Sequence, residues 1–96
     1  DLRGGVYAIK ASLEGKTLKG MLNIGYRPTV GGKESNKSIE AHIFDFDEDI
    51  YNKEITIHMI QRIRDEKKFN HVDELVEQLK EDKKYSLQIL SDRSNS

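Results

Sequence analysis

Glu54-Ile55-Thr56-Ile57-His58-Met59-Ile60-Gln61-Arg62-Ile63-Arg64, followed through Asp65-Glu66-Lys67-Lys68-Phe69 by Asn70-His71-Val72-Asp73-Glu74-Leu75-Val76, is where the chain changes period. Over residues 54–64 the apolar side chains recur every second position, with Ile55, Ile57, Met59 and Ile63 on one side and Thr56, His58 and Arg62 on the other. That spacing predicts a strand with one mixed face, and Ile60 is the exception to it. After Phe69 the period becomes 3.6, and Val72, Leu75, Val76, Leu79, Leu87 and Leu90 fall on one stripe of an amphipathic helix. Asn70 is the expected N-cap, with Asp73 three residues on to complete a capping box and to meet the positive end of the helix dipole. The helix is expected to start at His71 and run to about residue 90, and the tail Ser91–Ser96 has nothing to bury and is expected to fray.

Working back toward the start, Val6–Leu13 (VYAIKASL) is rich in strand formers and ends in Glu14-Gly15-Lys16. Thr17–Ile24 (TLKGMLNI) reads as a second strand, which makes the two a hairpin. Gly25–Lys37 (GYRPTVGGKESNK) carries three glycines and the one proline with no periodicity, so a long loop is expected there, of the kind that is more often functional than idle. Ser38–Phe44 alternates again, with Ile39, Ala41 and Ile43 on one face and Glu40, His42 and Phe44 on the other, and Asp45–Lys53 is an acidic turn. Four strands within about residues 5–64 and one helix at about 71–90 predict a mainly β fold, an antiparallel sheet with a helix against it.

The composition narrows what such a fold could do. With 16 Lys+Arg against 17 Asp+Glu, the 96 residues carry a net charge of −1, which gives no basic excess for a phosphate backbone, so no nucleic-acid partner is expected. A chain this size is one domain at most and buries only roughly 65% of its unfolded surface. Its mean hydropathy is −0.73, but its apolar residues come in periodic blocks, unlike those of a disordered chain. The absence of cysteine excludes disulfides, a thiol nucleophile and thiolate metal sites. No stretch approaches ~20 apolar residues and the start has no signal-peptide core, so no membrane partner and a cytoplasmic location are expected.

Several constellations are weaker than they look. Asp45, Asp47 and Asp49 have the opening spacing of a calcium loop, but Ile50 and Thr56 stand where such a loop needs Gly and a bidentate Glu. His42, His58 and His71 have no metal-ligand spacing, so no metal site is expected of this chain. Gly31-Gly32-Lys33 lacks the spacing of a phosphate-binding loop and a following helix, and is read as a loop tip. Arg62, Arg64, Lys67 and Lys68 make a cationic cluster that Asp65 and Glu66 half offset; it is a solvated connection or an arginine presented to an anionic or carbonyl-rich ligand. Glu40, between apolar neighbours and just after the glycine-rich segment, is a solvent-facing strand residue or a carboxylate acting on what that segment holds.

As a set, Gly5-Val6-Tyr7-Ala8, Asn23-Ile24-Gly25-Tyr26-Arg27-Pro28-Thr29, Ile39-Glu40-Ala41-His42-Ile43-Phe44-Asp45-Phe46 and Arg64-Asp65-Glu66-Lys67-Lys68-Phe69 closely resemble, in order and spacing over residues 4–90, the riboflavin kinase domain of bacterial bifunctional riboflavin kinase/FAD synthetases. The resemblance implies a small antiparallel Greek-key barrel with a C-terminal helix. It implies transfer of the ATP γ-phosphoryl group to the 5′-hydroxyl of riboflavin, giving FMN, with riboflavin, ATP and Mg²⁺ as the small-molecule partners. It implies further that Glu40 is the catalytic base, a role suited to a carboxylate that accepts the hydroxyl proton. Asn23, Arg27, Arg64 and Glu66 are by the same resemblance the substrate-binding residues.

The chain departs from the family at one place. The Pro-Thr-Ala-Asn segment whose Thr and Asn hold magnesium in that family does not occur here, Pro28-Thr29 belonging to the other loop. Residues 1–96 are therefore read as a partial riboflavin kinase domain, truncated on its N-terminal side and inactive alone, from a parent that also makes FAD. The alternative is a flavin-binding or purely structural β-module without catalysis. A barrel without its first strands leaves open edges, so self-association is an expected property.

Overall fold

The computed structural model describes residues 3–28, 35–47 and 53–94. Strands β1 (Gly5–Leu13), β2 (Lys16–Pro28), β3 (Ser35–Ile43) and β4 (Thr56–Arg64) precede helix α1 (Val72–Ser94). All neighbours pair antiparallel in the order β3-β2-β1-β4. Three consecutive strands with the fourth returning beside the first are a Greek key. The mainly β fold with one C-terminal helix is thus the observed architecture.

The β1–β2 register pairs Leu13 with Lys16, leaving Glu14 and Gly15 as a two-residue turn. Both have positive φ, 49° and 79°, as the right-twisted hairpin requires. β1 is the middle of the sheet, and Val6, Tyr7, Ala8 and Ile9 are all buried because both of its faces are covered. On one face Tyr7, Ile9, Leu22 and Ile24 pack with Ile43, Ile57 and Met59, so all four strands curl toward a shared barrel-like core. On the other, Val6, Met21 and Phe44 pack with Ile63 and with Leu87 of the helix. Burial of each large apolar side chain contributes roughly 1.5–3 kcal/mol.

Five expectations are corrected. The segment 25–37 is not all loop: Gly25–Pro28 continues β2 and Ser35–Lys37 begins β3, paired from Gly25↔Ser38 to Pro28↔Ser35. Past Ile24 the β1 ladder has ended, so among the described residues β2 has one strand neighbour there and Pro28 disturbs no interior ladder. Second, β4 does not alternate simply. Its pairing jumps from Val6↔Arg64 to Tyr7↔Arg62 and from Ala8↔Gln61 to Ile9↔Met59. Each jump sets one extra residue, Ile63 and then Ile60, in a bulge, which is why Ile60 broke the pattern and why Arg62 shares a face with Met59 and Ile57.

The last three corrections concern α1. The backbone carbonyl of His71 accepts from the amides of Glu74 and Leu75, so the cap is one residue beyond Asn70, and the helix runs to Ser94, past the expected end. Its buried line is Asp82, Ser86 and Leu90, four residues apart, while Val72, Leu75, Val76 and Leu79 are exposed, Val72 at 72%. The first half of the expected stripe therefore has no sheet beneath it among the described residues. Gly31-Gly32-Lys33, Asp49 and Ile50 lie outside the described residues, as do Asn95 and Ser96.

Candidate active site

The register brings three of the expected site residues into one transverse row. Glu40 of β3 is opposite Asn23 of β2, Asn23 is opposite Val6 of β1, and Val6 is opposite Arg64 of β4. Directly paired residues share a face, and Val6 packs on the helix side, so Glu40, Asn23 and Arg64 lie on that side too. Three strand spacings separate the ends of the row, about 14 Å. Glu40 and Asn23 are exposed, while Arg64 is covered by the helix. The open end of the row thus carries an exposed carboxylate.

At the covered end, Arg64 is held by its fork. Its Nε donates to Asp82 Oδ1 at 2.8 Å and its Nη2 to Oδ2 at 2.7 Å, a bidentate pair with a carboxylate that is 3% exposed. Gln78 Nε2 donates to the same Oδ1 at 3.0 Å. Arg64 Nη1 donates to the Asp65 carbonyl at 2.9 Å, so all three guanidinium nitrogens are engaged within the protein. A cleft of about 450 Å³ opens between β4 and α1 beside this pair, lined among others by Ile63, Gln78 and Tyr85.

The Arg64–Phe69 loop closes over the start of β1 and the end of β2. Glu66 Oε1 accepts from the Tyr26 amide at 3.3 Å. The carboxylate fits there because two residues lack side chains: a Cβ at Gly4 would lie 2.7 Å from Oε2, and one at Gly25 3.1 Å from Oε1. Arg62 donates from Nε and Nη2 to the Gly4 carbonyl at 3.2 and 2.6 Å, and from Nη2 to Asp65 Oδ1 at 2.6 Å. That bond and its charge hold the Asp65 carboxyl below its ordinary range and raise Arg62. Tyr7 donates its hydroxyl to the Arg3 carbonyl at the same corner. Gly5 adopts φ +140°, where a Cβ would collide with the Arg64 carbonyl and lie 2.8 Å from Arg62 Nη2. The described parts of the motifs, residues 5–8, 23–28 and 64–69, therefore meet at one end of the sheet.

The remaining candidates are apart from this end. Arg27 lies in β2 opposite Asn36, and its side chain is outside the described residues. His42 is exposed, with its ring edge-on to Phe44 at 5.6 Å. Among the described residues no three His, Asp or Glu side chains converge as a metal site would require. Asp82 and Gln78 are not singled out by the sequence, and Arg62 enters there only as a member of the cationic cluster. The signal for Asp82 was present: between Leu79 and Leu87 the positions due to face the sheet, 82, 83 and 86, hold Asp, Lys and Ser, and a charge at an inward register asks for a buried partner.

The chain is a Greek-key sheet carrying a helix on one face, with an exposed strand carboxylate and a glycine-lined corner. The riboflavin kinase (flavokinase) family model matches residues 2–90, and the chain belongs to that family. It is 43% identical over 88 residues to the bifunctional riboflavin kinase/FMN adenylyltransferase of Bacillus subtilis (strain 168), covering 91% of this chain and 28% of that protein. It is 38% identical over 81 residues to the RNA-binding riboflavin kinase RibR of the same organism, covering 84% of this chain and 35% of that one. Among solved structures, one described as a macrolide-efflux protein from Streptococcus pneumoniae superposes with a TM-score of 0.77 at 35% identity, over 86% of this chain and 27% of that chain. The chain thus spans about a third or less of each of these proteins.

Proposed function

We propose that residues 1–96 are the flavin-side part of a riboflavin kinase domain whose remainder is supplied by a longer parent polypeptide, and that the parent is also an FMN adenylyltransferase like its named relatives. In the reaction the ribityl 5′-oxygen of riboflavin forms a bond to the γ-phosphorus of ATP, the bond from that phosphorus to ADP breaks, and the hydroxyl proton passes to Glu40. The observation that carries this reading is the position of Glu40: in a member of the riboflavin kinase family it stands exposed on the sheet beside Asn23. Asn23, Arg27, Arg64 and Glu66 are the proposed flavin-binding residues. In the complete enzyme ATP supplies the phosphoryl group and Mg²⁺ neutralises its oxygens. The Pro-Thr-Ala-Asn segment that holds magnesium in the family this chain resembles does not occur in these residues, so the metal ligands and the nucleotide site are proposed to lie in the rest of the parent polypeptide.

The experiment is riboflavin phosphorylation by the parent. Glu40→Gln keeps the shape but cannot take the proton, so kcat should fall by ~100- to 10,000-fold while flavin affinity changes little. Turnover within a few-fold of wild type ends the assignment. The isolated 96-residue chain should make no FMN. Magnesium-dependent FMN formation by it would put the nucleotide site within these residues after all.

The non-catalytic alternative, a flavin-binding or purely structural module, draws support from Arg64, each of whose three guanidinium nitrogens already donates a hydrogen bond inside the protein. An inactive wild-type parent that still quenches flavin fluorescence would select it. Among the described residues no helix is long and apolar enough to cross a membrane. The RNA binding named for one relative, like the efflux named for the solved structure, is that protein's own, and the charge balance of this chain offers neither an RNA backbone nor a lipid surface any excess of cations.

A further inference from the structure

Asp82 sits 18 residues beyond the strand residue it binds, on the buried line of the helix, and it reaches both sides of one loop residue. Through Arg64 it holds the Asp65 carbonyl at 2.9 Å. Through Gln78, whose Oε1 accepts from Lys67 Nζ at 3.4 Å, it reaches the residue after Glu66. Glu66, between them, is the residue whose carboxylate touches the Tyr26 amide at the end of β2.

We propose that Asp82 is a positioning residue for flavin binding: it touches no substrate, but sets Arg64 and, through residues 65 and 67, the placement of Glu66 against Gly4, Gly25 and Tyr26. This deepens the riboflavin kinase reading and rests on it. A neutral surface residue would serve if the helix needed only to pack. A buried carboxylate with three hydrogen bonds, two of them from a guanidinium, instead fixes one geometry of the fork, because any rotation of Arg64 leaves the charge unpaired. The loop that carries two proposed substrate contacts inherits that geometry.

The test is steady-state kinetics and flavin fluorescence titration on the full-length parent, wild type first, with Asp82→Asn and Gln78→Ala. Asp82→Asn weakens the charged bonds without changing shape, so the KM and Kd for riboflavin should rise about ten-fold, with kcat within about three-fold and the KM for ATP unchanged. Gln78→Ala should move the same two constants in the same direction by about two- to three-fold. A residue that merely stabilised the fold would lower the fraction of active enzyme, so kcat per total protein would fall with riboflavin KM unchanged. That result, or unchanged constants throughout, overturns the proposal. If Asp82→Asn yields no folded protein, the decision passes to Gln78→Ala, where an unchanged riboflavin Kd overturns it and a raised one supports it. A wild-type parent that neither binds nor phosphorylates riboflavin would instead sink the functional reading, so the two failures are distinct.

Discussion

At the scale of single residues, Arg64 shows how a candidate ligand-binding side chain can also be a structural one. Removing its guanidinium leaves the Asp82 carboxylate, 3% exposed, with only Gln78 as partner. Breaking one half of a buried pair costs about 3–5 kcal/mol, most of it the penalty of the stranded charge. Arg64→Ala is therefore expected to destabilise the protein by that amount in urea unfolding. Removing both partners strands nothing, so Arg64→Ala/Asp82→Ala should be less destabilised than Arg64→Ala alone, a coupling that a double-mutant cycle reads directly. If the two single losses simply add, the pair is not energetically coupled and Arg64 is free to be read as a ligand residue only. Any fall in flavin affinity in Arg64→Ala has to be compared with this loss of stability before it is credited to a flavin contact.

Among the elements, strand character was legible from the strand-forming residue types of β1 and β2 and from the alternation of β3, and the Glu14-Gly15 turn follows its residue types. The β4 bulges were not legible, because an extra residue is defined only against a partner strand, and the sequence showed no more than the misfit of Ile60. The extension of β2 to Pro28 was hidden for the same reason, since Gly25–Pro28 are strand by pairing with β3 and not by propensity. Of the candidate site, Glu40 and Asn23 could be named from the motifs, but their shared row depends on register, and the Asp82 partnership depends on where the helix lands. The helix lands with Ser86 fully buried and its hydroxyl without a hydrogen-bond partner among the described residues. Ser86→Ala removes that unsatisfied group and favours the helix, so it should stabilise by roughly 1 kcal/mol and raise the Tm by about 4–8 °C. A lower Tm would mean the hydroxyl has a bond of its own. At the start of β1 the expectation is the reverse: Gly5→Ala forces a Cβ into the Arg64 carbonyl at φ +140°, which should cost about 2 kcal/mol or more and lower the Tm by about 10 °C. An unchanged melting curve would show that the corner yields freely.

For the whole molecule, the Greek key leaves two outer strands, and they are not equally able to recruit another chain. β4 is bent by two bulges, a feature that turns an edge away from further pairing. β3 pairs with β2 through nine consecutive positions without a break, from Gly20↔Ile43 to Pro28↔Ser35, and among the described residues no strand pairs with its outer side, which presents a regular ladder. Ile39, at its middle, is 53% exposed and adds an apolar contact to that ladder. The isolated chain should therefore self-associate through β3. Sedimentation velocity between about 10 μM and about 1 mM should show the weight-average mass rising from that of the monomer toward a dimer. Ile39→Lys places a charge on the edge, the device natural sheets use against such pairing, and should return the chain to monomer over the same range. His58→Lys makes the same kind of change on β4 and should leave the association as it was. A monomer at every concentration in the unmodified chain would show that the β3 edge is already blunted, and suppression by His58→Lys in place of Ile39→Lys would move the interface to β4.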